Sequence, residues 1–352
     1  MSMVSSSDDL ERRRSLSSGQ ERPFARLMKF CEEVRDAMLA VSGDARESGR
    51  ASASQRRAQW PPIGSREEAK MNDKVLELPG GGRLHYVEKG QGHVVLFVHG
   101  IWANHVLWEG VVEALPDTVR AIAPDWPLGS QPDPFPEGTD FSPQGVVRMV
   151  CEVLEALDLQ DVTLVGNDSG GGLCQLVITS DHPATKRIGR LVLTNSDVFD
   201  QFPPSGFRPM QTLARWAPWL ASPVFKRLMG RNDYKMFFDM TCSKPVSRET
   251  KDRVLGPFIR NAATRRDSFS FLVGCKPEMM LEATTKFGAF SDPVLLLWGE
   301  DDSLFPVKLA EDLTSEFPNV RLVKFPNANL FLPLDEPERV AGEIATFVNA
   351  GR

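Results

Sequence analysis

The sequence predicts an α/β fold: an open, mostly parallel sheet with helices on both faces and a helical segment inserted late in the chain. Three observations carry this. VVLFVHG (94–100), VRAIAPD (119–125), VTLVG (162–166), RLVLTN (190–195) and PVLLLWGE (293–300) are nearly continuous apolar runs, as expected of strands buried on both faces of a parallel sheet. Helical apolar spacing separates them, for example at Val146, Val147, Met149, Val150, Val153, Leu154 and Leu157, and alternation of the two patterns is the signature of α/β architecture. The alternation lapses from about Phe199 to Lys286, a stretch rich in Pro, Trp and Phe, and then resumes.

Taken in order, KVLEL (74–78) and RLHYVEK (83–89) flank Pro79-Gly80-Gly81-Gly82 and read as a hairpin. The four strands 94–100, 119–125, 162–166 and 190–195 follow, with helical patterns between them. Residues 199–286 read as helices folded over the sheet, where Trp216, Trp219, Phe225, Phe237, Phe238, Phe269, Phe271, Met279 and Met280 are expected to pack onto the core or line an apolar cleft. The strand 293–300, a helix over about 307–317, the strand RLVKF (321–325) and a last helix from about Glu336 to Val348 complete the pattern.

Composition narrows the function. The 352 residues are 41% hydrophobic and 25% charged, an ordinary globular balance. No apolar run approaches the ~18 residues of a membrane span. A net charge of −6 argues against nucleic acid or an anionic membrane surface as the main partner. Cys31, Cys151, Cys174, Cys242 and Cys275 are scattered and lack a CxxC pair, which fits neither a disulfide framework nor a zinc site and points to a reducing, cytoplasmic setting. No cofactor or metal is expected. The composition also breaks near Met71, because residues 1–70 hold 12 serines with 13 basic and 11 acidic residues. The division expected is a polar extension over 1–72, a core over 73–198 and 287–352, and a helical lid over 199–286. Within the extension, Phe24, Leu27, Met28, Cys31, Val34, Met38 and Val41 recur at helical spacing. An alternative start at Met71 leads straight into the first strand.

The residues that bear chemistry cluster at Gly166-Asn167-Asp168-Ser169-Gly170-Gly171, after a strand and before a helix. So tight a turn strains its central residue and needs small neighbours two positions to either side. Gly166 and Gly170 meet that need around Asp168, whereas the frame around Ser169 would use Asn167 and Gly171 and fits less well. The turn therefore presents a carboxylate at a helix N-terminus. Upstream, His99-Gly100-Ile101-Trp102 follows the strand VVLFV, where a backbone N–H could join that of Ser169 in binding an oxyanion or a leaving group.

Over roughly residues 73–352 the chain resembles the α/β-hydrolase superfamily, through the HG loop, APDWPLG (123–129), the elbow at Asp168 and WGEDD (298–302). With aspartate at the elbow, the resemblance is to the haloalkane dehalogenases, haloacetate dehalogenases and epoxide hydrolases. It implies an α/β-hydrolase fold, Asp168 as nucleophile, Ile101 and Ser169 as N–H donors, and a small to medium apolar organic substrate. The WGxxD pattern selects Asp302 as the acid of the triad, with Asp301 beside it and Asp197, after RLVLTN, as the alternative acid. Haloalkane dehalogenases usually place a halide-binding Trp directly after the nucleophile; here that residue is Ser169, and Trp102 could supply an indole N–H instead. Epoxide hydrolases use two lid tyrosines, and of Tyr86 and Tyr234 only Tyr234 falls in the lid, which disfavours that branch.

The sequence departs from the resemblance at the histidine. The matching segment is 327–337, and the histidine position falls on Leu330. The five histidines are His85, His93, His99, His105 and His182, all upstream of the lid. A leucine can neither deprotonate nor orient water. The expectation is a dehalogenase-like hydrolase with Asp168 as nucleophile and an atypical or impaired second half-reaction, for which His105 is the candidate substitute base. The alternatives are a lyase in which Asp168 acts as general acid or base, and a catalytically inactive ligand-binding homologue or one-shot alkylation trap.

Overall fold

Eight strands, β1 (Asn72–Glu77), β2 (Arg83–Lys89), β3 (His93–Val98), β4 (Val119–Pro124), β5 (Val162–Asp168), β6 (Ile188–Ser196), β7 (Val294–Gly299) and β8 (Val320–Phe325), form one sheet in the order β1-β2-β4-β3-β5-β6-β7-β8. The structure is a computed structural model and describes residues 71–350. The polar extension, including the periodic segment from Phe24 to Val41, lies outside the described residues.

β1 and β2 pair antiparallel, as the hairpin reading requires, with Gly81 at φ +78° in the turn. β2 also runs antiparallel to β4, and every pairing from β4 through β8 is parallel. β3 and β7 are buried at every position, which is why their sequences read as unbroken apolar runs rather than alternating ones. Helix α1 (Glu109–Ala114) follows β3, α2 (Pro143–Ala156) follows β4, and α3 (Ser169–Ile178) follows β5. Helix α2 starts where sequence chemistry would start it: Pro143 sits in its first turn, and the Ser142 hydroxyl accepts from the Gly145 N–H at 3.1 Å.

Six helices fill the stretch between β6 and β7: α4 (Arg208–Trp216), α5 (Pro218–Met229), α6 (Lys235–Thr241), α7 (Arg248–Arg260), α8 (Ala262–Gly274) and α9 (Pro277–Thr284). Phe225, Phe237, Phe238, Phe269, Phe271 and Met280 are buried as expected, but Trp216 and Trp219 are 79% and 76% exposed. Both lie at the junction of α4 and α5, on the faces opposite those that pack inward, so helical phase turns them to solvent. After β7 come α10 (Val307–Leu313), then β8, α11 (Leu332–Asp335) and α12 (Pro337–Asn349). Helix α10 stops short of the expected 317. There the Thr314 and Ser315 hydroxyls bond back to the Glu311 and Asp312 carbonyls, at 2.6 and 2.7 Å, a local alternative to continuing the helix.

A buried carboxylate helps tie the insertion to the end of the sheet. Asp335 is 2% exposed and accepts from the backbone N–H of Ser243 and Lys244, in the insertion, and of Asn329, in the loop after β8, each at 2.9 Å. Nearby, the Phe331 N–H donates to the Thr241 carbonyl at 2.7 Å. Replacing Asp335 with alanine strands these donors where water replaces the lost acceptor poorly. We expect Asp335→Ala to cost about 2–4 kcal/mol in urea unfolding, and Asp335→Asn, which keeps one acceptor, to cost less.

Candidate active site

The centre of the site is a strained backbone. At the junction of β5 and α3, Asp168 adopts φ 54° and ψ −133°, a region that a non-glycine residue occupies only when its surroundings enforce it. The enforcing contacts are close ones. A Cβ on Gly166 would lie 2.5 Å from the Gly171 Cα, and one on Gly170 would lie 2.3 Å from the Val98 carbonyl oxygen. Gly100, in the loop after β3, is required for a different reason: a Cβ there would lie 2.2 Å from the Asp168 Oδ2. The loop thus lies directly against the carboxylate, and Gly100 has to be small to let it.

Asp168 lies deep in the protein yet keeps some accessible surface. Burial pushes its pKa up to about 7, helped by the nearby Asp302 charge and opposed by the Ser169 N–H and hydroxyl and the Ile101 N–H. Ile101 N–H also donates to the Ser169 Oγ at 2.8 Å. The structure therefore brings Ile101 and Ser169 together beside Asp168.

Asp302, in the turn after β7, is 2% exposed and is held by Asn195 Nδ2 at 2.8 Å and the backbone N–H of Leu304 and Phe305 at 2.8 and 3.1 Å. Burial raises it to about 6 against those three donors. Asn195 fixes this turn twice more: its Oδ1 accepts from the Gly299 N–H at 2.8 Å, and its Nδ2 also reaches the Gly299 carbonyl at 3.2 Å. Nothing in the sequence marks Asn195 as a site residue; only its place at the end of β6, next to a neighbouring strand, hints at the role. Asp197, just beyond, is also 2% exposed, and burial together with the Asp168 charge holds its carboxyl well above the usual range. Asp301 lies on the surface side, accepting from the Ser243 hydroxyl at 3.0 Å.

Leu330 is buried, and its carbonyl accepts from Asn167 Nδ2 at 2.8 Å. The loop after β8 is thereby tied to the residue directly before Asp168. The histidines have other partners. His85 bonds Asp133 and His93 bonds Thr163, at 2.9 and 2.8 Å. His182 caps the turn at Pro183 through Ala184 N–H at 3.2 Å. His99 faces the Gly100 carbonyl with Nδ1 at 2.9 Å and accepts the Trp126 N–H on Nε2 at 2.8 Å. Burial lowers His99 to about 4, so it is a neutral brace for the loop.

His105 does not suit the part of substitute base. Its Nδ1 lies 2.7 Å from Asp125 and its Nε2 3.5 Å from Glu109. Burial alone would lower its pKa, but the two carboxylates outweigh that and push it up to about 10. An imidazolium with both nitrogens engaged has no lone pair for a proton. Trp102 is likewise committed: its indole N–H donates to the Ser268 Oγ at 3.1 Å, while its ring packs against Phe207, Phe225 and Phe258.

A buried carboxyl raised to about 7 has a consequence for stability. The folded protein holds the Asp168 proton to higher pH than the unfolded chain does. Its contribution is complete below about pH 4 and is lost as the pH rises through about 7. Asp168→Asn removes that loss. We expect this variant to match the parent near pH 4 and to exceed it by about 2–4 kcal/mol at pH 8, measured as urea unfolding across the pH range.

The α/β hydrolase fold model matches residues 93–337. Haloalkane dehalogenase 2 of Mycobacterium tuberculosis is 27% identical over 275 residues, covering 75% of this chain and 90% of that protein. A cis-3-alkyl-4-alkyloxetan-2-one decarboxylase of Shewanella oneidensis is 26% identical over 282 residues, covering 76% and 86%. Among solved structures, the haloalkane dehalogenase DbeA from Bradyrhizobium elkani superimposes with a TM-score of 0.67 at 15% identity, covering 80% of this chain and 98% of that one. An α/β hydrolase fold protein from Burkholderia ambifaria gives 0.68 at 18% identity, covering 79% and 100%. With a strained strand-to-helix turn at the centre of an eight-stranded sheet, and a family match over most of its length, the chain belongs to the α/β hydrolase fold family.

Proposed function

We propose that the protein is a haloalkane-dehalogenase-like hydrolase that completes the first half of its reaction and stalls in the second. The observation that carries this is the pairing of Asp168, at the strained apex with two N–H groups directed to it, with Leu330 on the loop tied to its neighbour Asn167. In this reading the Asp168 carboxylate attacks an sp³ carbon bearing a halogen. The new C–O bond forms as the carbon–halogen bond breaks, and the halide leaves with the bonding pair. The insertion over 199–286 acts as a lid, and its buried Phe207, Phe225 and Phe258 around Trp102 favour a small to medium apolar substrate.

Hydrolysis of the resulting ester requires a water that gives up a proton as it attacks the Asp168 carbonyl carbon. In this reading the Ile101 and Ser169 N–H groups, which lie beside the Asp168 carboxylate, would stabilise the oxyanion that forms. The Leu330 side chain offers no lone pair, His105 is held as an imidazolium between two carboxylates, and Asp302 is fixed by three donors as a buried acid without an imidazole to orient. The ester therefore persists. Asp168 must also be ionised to attack, so the alkylation rate rises with pH through about 7.

A second reading has its own support. One matched relative is named as a decarboxylase acting on an oxetan-2-one ring, and a carboxyl near 7 is suited to general acid–base work. That reading makes Asp168 a proton donor or acceptor in a lyase, and it leaves no covalent trace.

Incubation with a panel of haloalkanes should release about one halide per chain and add one alkyl mass to the intact protein, and Asp168→Asn should abolish both. Leu330→His should convert the trapped adduct into repeated turnover. Sustained halide release by the unmodified protein would contradict the stalled step, and product from a lactone without any adduct would favour the lyase.

A further inference from the structure

We infer that the outer face of α4 and α5 docks on an anionic lipid bilayer surface. Helical phase gathers the polar and aromatic residues of both segments on one side. On α4 the exposed residues are Arg208, Thr212, Arg215 and Trp216, one stripe at spacings of i, i+4, i+7 and i+8, while Met210 and Ala214 face inward. On α5 the exposed stripe is Trp219, Pro223, Lys226 and Arg227 at the same spacings, opposite buried Ala221, Phe225 and Leu228. Each helix therefore presents two cations and one tryptophan outward, and the two tryptophans flank the junction, 79% and 76% exposed.

Charge complementarity selects the occupant. Between Asp200 and Asp233 the chain holds five basic residues and no acidic one, although the whole chain carries −6. None of Arg208, Arg215, Lys226 or Arg227 forms an ion pair among the described residues. A soluble polyanion would satisfy the cations but leave both indoles in water. A bilayer interface accepts both at once, because indole rings settle at headgroup level and Lys and Arg meet anionic phosphates. The local surface thus reverses what net charge suggests for the whole chain. The inner face of α5 carries Phe225, whose ring centre is 6.0 Å from that of Trp102, so a docked bilayer would lie about one helix diameter, ~10 Å, from the active-site loop.

The test uses the full chain with vesicles of phosphatidylcholine alone or mixed with phosphatidylglycerol. Among the described residues Trp102, Trp108, Trp126 and Trp298 are fully buried, so once Trp60, the remaining tryptophan of the chain, is changed to phenylalanine the environment-sensitive emission of Trp216 and Trp219 reports docking. We expect co-sedimentation and a blue-shifted emission with the anionic vesicles only, reversed by high salt. Each cation near an anionic surface strengthens binding roughly fivefold. A variant with all four stripe cations changed to glutamine should therefore bind at least a hundredfold more weakly, at the order-of-magnitude level. Trp216→Ala with Trp219→Ala should remove the blue shift while circular dichroism and thermal unfolding stay unchanged. The inference is overturned if the full chain does not bind anionic vesicles. It is equally overturned if both variants bind as well as the parent, which would place the contact elsewhere in the chain, or if heparin is bound as tightly as vesicles and the tryptophan changes leave vesicle binding unaffected.

Discussion

The turn at Asp168 is the constraint on which the rest of the molecule depends. Holding a non-glycine residue at φ 54° and ψ −133° costs about 1–3 kcal/mol locally. That cost is borne because β5 lies in the middle of the sheet, between β3 and β6, and α3 must start at once to cover it. Gly166 and Gly170 let the strand end, helix start and β3 loop close to within contact distance of one another, and Gly100 allows that loop to lie on the carboxylate. Rigid strands and close backbone packing, rather than a flexible loop, therefore aim the Asp168 carboxylate.

Around that turn, polar side chains fix parts of the chain that are remote in sequence. Asn167 joins the elbow to Thr194 on β6 and to Leu330 beyond β8. Asn195 joins β6 to the turn bearing Asp302, and Asp335 joins that region to the helical insertion. Each is buried and hydrogen-bonded to parts of the chain remote in sequence, so each fixes position as well as adding stability. The outcome is a group of carboxyls, Asp168, Asp197 and Asp302, all raised by burial. His105, pushed up by its carboxylate neighbours, is spent on Asp125 and Glu109.

Much of the fold was legible because two-sided burial leaves its mark in the sequence. The strand runs from 94 to 195 and from 293 to 325 stood out for that reason, and the glycine spacing around Asp168 singled it out over Ser169. What was not legible depends on long-range partners. The bond from Asn195 to Asp302 spans 107 residues, and the one from Trp102 to Ser268 spans 166, so neither leaves a local pattern. His105 could be placed on the right loop, but its charge state depends on Asp125, twenty residues away. The tryptophans of the insertion misled for another reason. Composition pools Trp216 and Trp219 with the buried phenylalanines, whereas helical phase separates them, and the same phase gathers cations that the net charge hides.

The central claim is chemical: Asp168 itself takes the alkyl group and keeps it. Peptide mapping by tandem mass spectrometry, after brief exposure to a reactive haloalkane, tests this at the level of the residue. The account predicts the added alkyl mass on the Asp168 side chain of the unmodified protein, stable over hours at neutral pH. Alkyl mass on a cysteine or histidine in its place, or an unmodified Asp168 after halide has been released, would contradict it.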